Sequence, residues 1–465
     1  MSALTKPPAG ERSAPHGGTV ARPAEHRRPG RWIDHWDPED ATFWRDGGRR
    51  VASRNLRVSV LAEFVGFAVW ALWSIVVPQL PTAGFALTVD QQFWLVAVPS
   101  LVGATLRIPY TLAVPLLGGR NWTVVSALLL LLPTVALVVV VQRPGTGFGT
   151  LLAVAALAGF GGGNFASSMA NISFFYTERE KARALGLNAA GGNLGTAAVQ
   201  LAVPLVITVG AGVALERAGL MMVPFIVLAA VLAWRRMDNL SAARADPRAF
   251  AAAARNKHTW IISFLYIGTF GSFIGYAGAF PMLLGAEFPG AGLSIAFLGA
   301  LVGSVTRPLG GVIADRVGGT PVTIASYGTM ALGAFGAIQA LERDSFGLFF
   351  GSFLLLFVAT GVGNGSTYRM IPAIFQAGEA AATGEGAPGD VRARARQAAA
   401  GCIGIAGAVG AFGGFLIPRG FAASTSTTGS LVPALWAFIG MYAVMALVAW
   451  AVYRRRGTAL HAARI

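Results

Sequence analysis

Reactive and charged side chains are scarce in this chain. Of its 465 residues only 12% are charged, against 54% hydrophobic. The single cysteine, Cys402, excludes a disulfide framework and any multi-cysteine metal site. The five histidines (His16, His26, His35, His258, His461) all lie outside the long apolar runs, so haem or metal chemistry inside those runs has no ligands. No nucleophile, metal or cofactor motif stands in the sequence. The glycine-dense stretches GFGGGNFASSMAN (159–171) and GLNAAGGNLG (186–195) loosely match a dinucleotide fingerprint, but no strand-then-helix context surrounds them. The chain reads as a non-enzyme with no cofactor and no metal.

What is abundant is apolar length. Twelve runs of about 20 residues can be marked, each long enough to cross ~30 Å of hydrocarbon. The 60 glycines suit closely packed membrane helices better than a soluble core. The fold class is therefore an all-α integral membrane protein. The net charge of +15 invites a nucleic-acid partner, but its distribution records topology instead. Twenty-nine of the 36 Lys and Arg fall in segments on one side, four (Arg143, Arg217, Arg343, Arg419) on the other, and three (Arg107, Arg307, Arg369) within the runs. By the positive-inside rule both termini face the cytoplasm. The expected setting is the inner (cytoplasmic) membrane, with lipid around the chain and no nucleic acid.

Residues 1–57 are polar, and their first part is expected to be disordered. Their later part, RWIDHWDPEDATFWRDGGRRVASRNL, is expected to lie as an amphipathic piece at the inner interface. Residues 58–234 form a first six-helix bundle, 235–259 a basic cytoplasmic linker, 260–453 a second six-helix bundle and 454–465 a cytoplasmic tail. The inner loop between the tenth and eleventh spans is long and flexible by composition.

The two bundles repeat each other. LVGATLRIPYTLAVPLLGG (101–119) returns two hundred residues later as LVGSVTRPLGGVIADRVGG, so Gly103, Arg107 and Gly118-Gly119 match Gly303, Arg307 and Gly318-Gly319 without a gap. Gly66 matches Gly268, and Gly159 and Gly161 match Gly361 and Gly363, at an offset of 202. Gly186, Gly192 and Gly195 match Gly401, Gly407 and Gly410 at 215. Two parallel six-helix repeats joined by a cytoplasmic linker is the plan of the major facilitator fold, whose site lies between the halves at mid-membrane.

An arginine at the centre of a membrane helix costs about 2.5–3.5 kcal/mol. Finding one at equivalent points of both repeats marks Arg107 and Arg307 as candidate jaws of an anion site. Guanidinium is always charged and presents a planar fork of donors suited to a small planar oxyanion. The alternative is a structural arginine paired with a buried acid or helix carbonyls. Acids are scarce in the spans, however: Glu63 is placed near the inner end of the first, and Asp315 where the eighth ends. Neither position neutralises a mid-helix arginine, so a bound anion is favoured. The same shortage argues against carboxylate-based proton coupling and against export of cationic drugs, and for exchange of one anion against another.

Around these stand secondary candidates. Gly161, Gly163, Gly192, Gly195, Gly363 and Gly365 let helices approach closely and rock during alternating access. Of the asparagines in the same stretches, Asn193 is the one assigned to the site. Phe165, with Tyr266 and Phe270 one turn apart, offers rings to wall in a small anion and a hydroxyl to donate one hydrogen bond, against the commoner reading of aromatic packing. Asp315, in GVIADRVGG, is expected to cap or pair across helices as a conformational latch. Arg369 either snorkels to the interface or pairs with a carboxylate.

Taken together, WDPEDATFWRDGGRRVASRNL, LRIPYTLAVPLLGGRNW, GGGNFASSMANISFF, ALGLNAAGGNLG, LYIGTFGSFIGYAGAF and GVGNGSTYRMIPAIF resemble the nitrate/nitrite porter family of the major facilitator superfamily, of the bacterial respiratory type. The resemblance runs from about Trp36 through nearly the whole chain. It implies that Arg107 and Arg307 hold the anion, that Phe165 and Phe270 flank it, that Tyr266 donates to it and that Asn193 lies nearby. It implies nitrate uptake in exchange for nitrite and a functional link to a cytoplasmic nitrate reductase; the chain is expected to be a monomer. Arg369 stands where some relatives have a neutral residue. Nitrate/proton symport, also found in the family, remains the alternative; a nitrate-selective channel or sensor is the reading from another class.

Overall fold

In the computed structural model the described residues are 27–210, 212–243, 247–383, 389–455 and 465. The opening stretch expected to be disordered falls outside them up to residue 26, as do 384–388 of the long loop and 456–464 of the tail.

Among the described residues twelve helices are long and apolar enough to cross a membrane. In chain order they are α1 (Ala41–Gln79), α2 (Val89–Leu117), α3 (Gly119–Val140), α4 (Phe148–Phe175), α5 (Glu178–Ile207) and α6 (Glu216–Arg236). After a short linker helix, Pro247–Arg255, come α7 (Lys257–Glu287), α8 (Leu293–Val317), α9 (Gly319–Glu342), α10 (Phe346–Gly378), α11 (Ala398–Thr428) and α12 (Val432–Arg454). Large apolar side chains such as Leu116, Leu205, Leu309 and Leu447 stand exposed, as a lipid-facing surface requires. An even number of spans brings the start of α1 and the end of α12 to one side, called here the terminal face, where the carbonyl of Ile465 accepts from the Thr320 N–H. The opposite side is the far face.

The sequence repeat is also a repeat of backbone geometry. Helices α2 and α8 both stop at a left-handed glycine, Gly118 (φ 87°) and Gly318 (φ 94°), whose N–H groups close on the carbonyls of Val114 and Ala314. Gly119 and Gly319 then begin α3 and α9 with no further loop. A side chain at Gly118 or Gly318 would be strained, which is why the Gly-Gly pair recurs.

Small residues set the helix spacing. Gly161 of α4 faces the Gly66 carbonyl of α1, Gly195 of α5 faces the Phe64 carbonyl of α1, and Gly365 of α10 faces the Arg307 carbonyl of α8. A Cβ at any of these would collide with backbone. Gly163 lies against the Tyr110 ring, Gly192 against the Glu63 side chain, and Gly363 against Thr269 and Ser326. The halves meet through α2 with α11, α5 with α8, and α1 with α7. At the far face Arg419 of α11 reaches Asp90 of α2 at 2.8 Å and covers the Trp94 ring at 4.3 Å. Deeper in, Gln200 of α5 donates to the Ala277 carbonyl of α7 at 2.7 Å. These contacts bridge the two halves towards the far face.

The aromatic N-terminal segment does not lie on lipid as expected. It folds onto the protein as a strap in which β1 (Arg27–Arg28) pairs antiparallel with β2 (Trp32–Ile33), and β2 pairs parallel with β3 (Asn239–Leu240) from the linker. Trp36 packs edge-on against Phe43 and Phe175, and Trp44 against Tyr176. Arg31 and Arg54 close on the fully buried Asp238, which also accepts from Asn55. Arg31, Arg54 and Asn55 therefore have protein partners, and residues 41–57 form the opening turns of α1 rather than a separate interfacial helix.

Candidate functional site

Arg107 and Arg307 stand on α2 and α8, each followed within two residues by a proline, Pro109 and Pro308, that removes an N–H from the helix ladder. Both side chains are buried, at 1% and 6% exposure, and both guanidinium groups converge on one ring. The Arg107 Cζ lies 4.6 Å from the Phe165 centroid and 4.9 Å from that of Phe270, and the Arg307 Cζ lies 5.7 Å from Phe165. Phe165 stacks on Phe270 at 5.9 Å, and Phe270 on Tyr266 at 5.1 Å. A π-turn, Ile267–Gly271, interrupts α7 directly after Tyr266 and sets the angle between those two rings. Five of the six predicted binding residues thus form one cluster between the halves.

The donors of this cluster are only partly used. Arg107 Nη1 donates to the Gly407 carbonyl of α11 at 2.6 Å, across the interface. Its Nε and Nη2, and Nη1 of Arg307, are buried without an acceptor. The Tyr266 hydroxyl donates to Asn364 Oδ1 at 2.8 Å, while Asn364 Nδ2 and the Tyr368 hydroxyl have no partner. Buried charged donors without acceptors are costly, and an anion carrying several acceptor oxygens relieves that cost. Asn193, the sixth predicted residue, is buried on α5 with neither amide atom hydrogen-bonded. It adjoins Gly192, whose α-carbon faces Glu63.

Glu63 is the main correction to the sequence reading. It does not sit near the terminal end of α1. The continuous helix starts at Arg49, which puts Glu63 about 21 Å along it at 1.5 Å per residue. It is fully buried, held by the Ser168 hydroxyl and by Asn188 Nδ2 at 2.6 Å, and it lies in the positive field of Arg307 and Arg107. The spans therefore do hold a central carboxylate. Arg369 resolves to one of its two readings: it pairs with Asp315 across α10 and α8, within one half, and both side chains are about half exposed.

Sequence reasoning missed four participants. Trp70 lies 5.9 Å from the Arg107 Cζ, and Tyr368 lies 5.9 Å from that of Arg307. Asn364 and the Gly407 carbonyl complete the set. Tyr368 and Asn364 stand in the motif GVGNGSTYRM, so a signal was present. The carbonyl of a repeat-matched glycine gives none. Among the described residues no group of three His, Cys, Asp or Glu is placed to hold a metal ion.

Twelve spans in two repeats around a buried cationic centre define a membrane transporter. Residues 60–418 match the family model of the Major Facilitator Superfamily. The nitrate/nitrite transporter NarU of Escherichia coli (strain K12) is 39% identical over 90% of this chain and 96% of its own. A Thermus thermophilus protein named "Probable nitrate/nitrite antiporter NarK2" is 37% identical over 92% of this chain and 98% of its own. Among solved structures, an inward-open Escherichia coli xylose transporter, XylE, aligns with a TM-score of 0.66 at 15% identity, covering 88% of this chain and 99% of that one, which shows the fold. The chain belongs to the nitrate/nitrite porter family of the major facilitator superfamily, and it is a multi-pass membrane protein.

Proposed function

We propose that the protein takes up nitrate in exchange for nitrite, by alternating access around an anion held between Arg107 and Arg307. The observation that carries this is the pair of buried guanidinium groups, one from each half, with three N–H-bearing nitrogens lacking acceptors over a shared Phe165 ring. A planar oxyanion accepts from both forks at once, and the rings limit its size and exclude water. Because one arginine belongs to each half, the anion ties the halves together as they rock. An unloaded centre keeps two guanidinium charges in a low-dielectric interior, and that resists passage through the closed state. This favours return of the carrier with a second anion aboard, which is exchange. The relatives' names give the anions as nitrate and nitrite.

The basic terminal face is assigned to the cytoplasm of an inner membrane, with a cytoplasmic nitrate reductase as the source of nitrite and a monomer as the working unit. The far-face contacts of Arg419, Asp90 and Gln200 then bridge the two halves towards the outward side. Labelled-nitrate uptake into reconstituted vesicles tests the reading: internal nitrite is expected to stimulate it several-fold, whereas flux that neither saturates nor responds to internal anion identifies a channel.

A further inference from the structure

Glu63 has no part in the exchange just described, yet it occupies a costly position. Together with Asp238 it is one of two fully buried carboxylates among the described residues. Asp238 is neutralised by Arg31 and Arg54. Glu63 has no such ion pair: its Oε2 meets the Ser168 hydroxyl and Asn188 Nδ2, and its Oε1 has no hydrogen-bond partner. The room for it is built by Gly192, where a Cβ would come within 2.7 Å of both Cγ and Oε1. The charged and titratable groups that interact electrostatically with it are Arg107 of α2, Arg307 of α8 and Tyr368 of α10. Helices α4 and α5 present Ser168, Asn188 and Gly192, none of which titrates. Along its own helix no other charge follows Arg57. At the repeat offset of 202 the matching residue is Leu265, so the carboxylate belongs to one half only.

Resting on the anion-site reading above, we propose that Glu63 is a proton-binding site coupled to that anion site, taking up one proton as the anion enters between Arg107 and Arg307. The coupling follows from charge. Burial opposes a charge at Glu63, and in the unloaded centre the two guanidinium groups act against that by favouring a carboxylate anion. An arriving nitrate cancels part of that field, and the carboxylate then gains a proton from solvent. By reciprocity, the proton tightens the anion. In one-for-one exchange the proton carried in with nitrate leaves with nitrite, so the coupling is silent. In net uptake, with no internal anion, the same device moves a proton with each nitrate. The fully occupied centre then holds two guanidinium charges, one anion and a neutral carboxylic acid.

Nitrate titrations of the purified wild-type protein by calorimetry, in two buffers of different ionisation enthalpy, read the proton count directly. The expected result is uptake of about one proton per nitrate on the limb of the profile where affinity rises up to tenfold per unit fall in pH. For Glu63→Gln, nitrate binding with no proton uptake and an affinity flat in pH is expected. As a readout needing no variant, nitrate is expected to induce the carbonyl-stretch band of a protonated carboxylic acid in an infrared difference spectrum of the wild type. Nitrate binding by wild type without proton uptake or that band overturns the proton site and leaves exchange standing. Proton uptake that persists in Glu63→Gln also overturns it. Failure of the wild type to bind nitrate at all overturns the anion reading instead.

Discussion

Replacing Arg107 by lysine keeps the charge and removes the fork. Arg107 is the more embedded of the two arginines, bonded to the Gly407 carbonyl at 2.6 Å and flanked by Phe165 and Phe270 at 4.6 and 4.9 Å. A lysine ammonium is a point charge that cannot meet that carbonyl and present a planar pair of donors to an anion together. Losing one charge-assisted hydrogen bond costs about 1.5–3 kcal/mol. Weakening without losing the ring contact adds roughly 0.5–1 kcal/mol, a fraction of the ~2 kcal/mol such a contact reaches when desolvated. The total of about 2–4 kcal/mol converts to a roughly 30- to 700-fold loss of nitrate affinity at ~1.4 kcal/mol per tenfold. The assay is the nitrate Kd of purified Arg107→Lys beside its uptake KM in vesicles, with size-exclusion profile and membrane yield as folding controls. A Kd within threefold of wild type in a well-folded variant would refute the assignment of Arg107 to the anion.

The helix-packing account separates glycines that look alike in sequence. Gly161→Ala and Gly365→Ala drive a Cβ into backbone carbonyls and are expected to cost about 1–3 kcal/mol, seen as a lowered Tm, with transport lost. Gly186→Ala, with nothing within 4 Å of a new Cβ, is expected to leave both Tm and uptake near wild type. Asp238→Ala leaves Arg31 and Arg54 without their buried counter-charge, and a loss of about 3–5 kcal/mol is expected in a thermal-shift or denaturant assay. The half-exposed Arg369–Asp315 pair is expected to contribute under about 1 kcal/mol. If it works as a latch, Arg369→Gln, Asp315→Asn and the double variant should change the uptake rate by the same factor, whereas additive effects would mean the two act separately.

The twelve spans, the two-fold repeat and five candidate residues that the fold gathers into one cluster could be read from the chain, because each leaves a local trace. Apolar runs of membrane length mark the helices, and arginines inside them are too costly to be incidental. Glu63 was misplaced for a physical reason. Hydropathy sets the start of a span where polar residues stop, but Arg54 and Asn55 are polar helical residues satisfied by Asp238, some 180 positions away. With the start of α1 set too late, a central carboxylate looked peripheral. The same blindness to distant partners turned Trp36, Phe43 and Trp44 into a lipid-facing surface when they are core. The bond from Arg107 to the Gly407 carbonyl has no local trace, since it joins residues 300 positions apart.

The central claim is that inward nitrate movement is driven by outward movement of a second anion, and one comparison addresses it. Labelled-nitrate uptake is measured at initial rate into vesicles with the same pH on both sides, loaded either with nitrite or with an impermeant anion. A several-fold higher rate with internal nitrite is predicted, together with its disappearance in Arg107→Lys. Equal rates in both vesicle populations would contradict exchange.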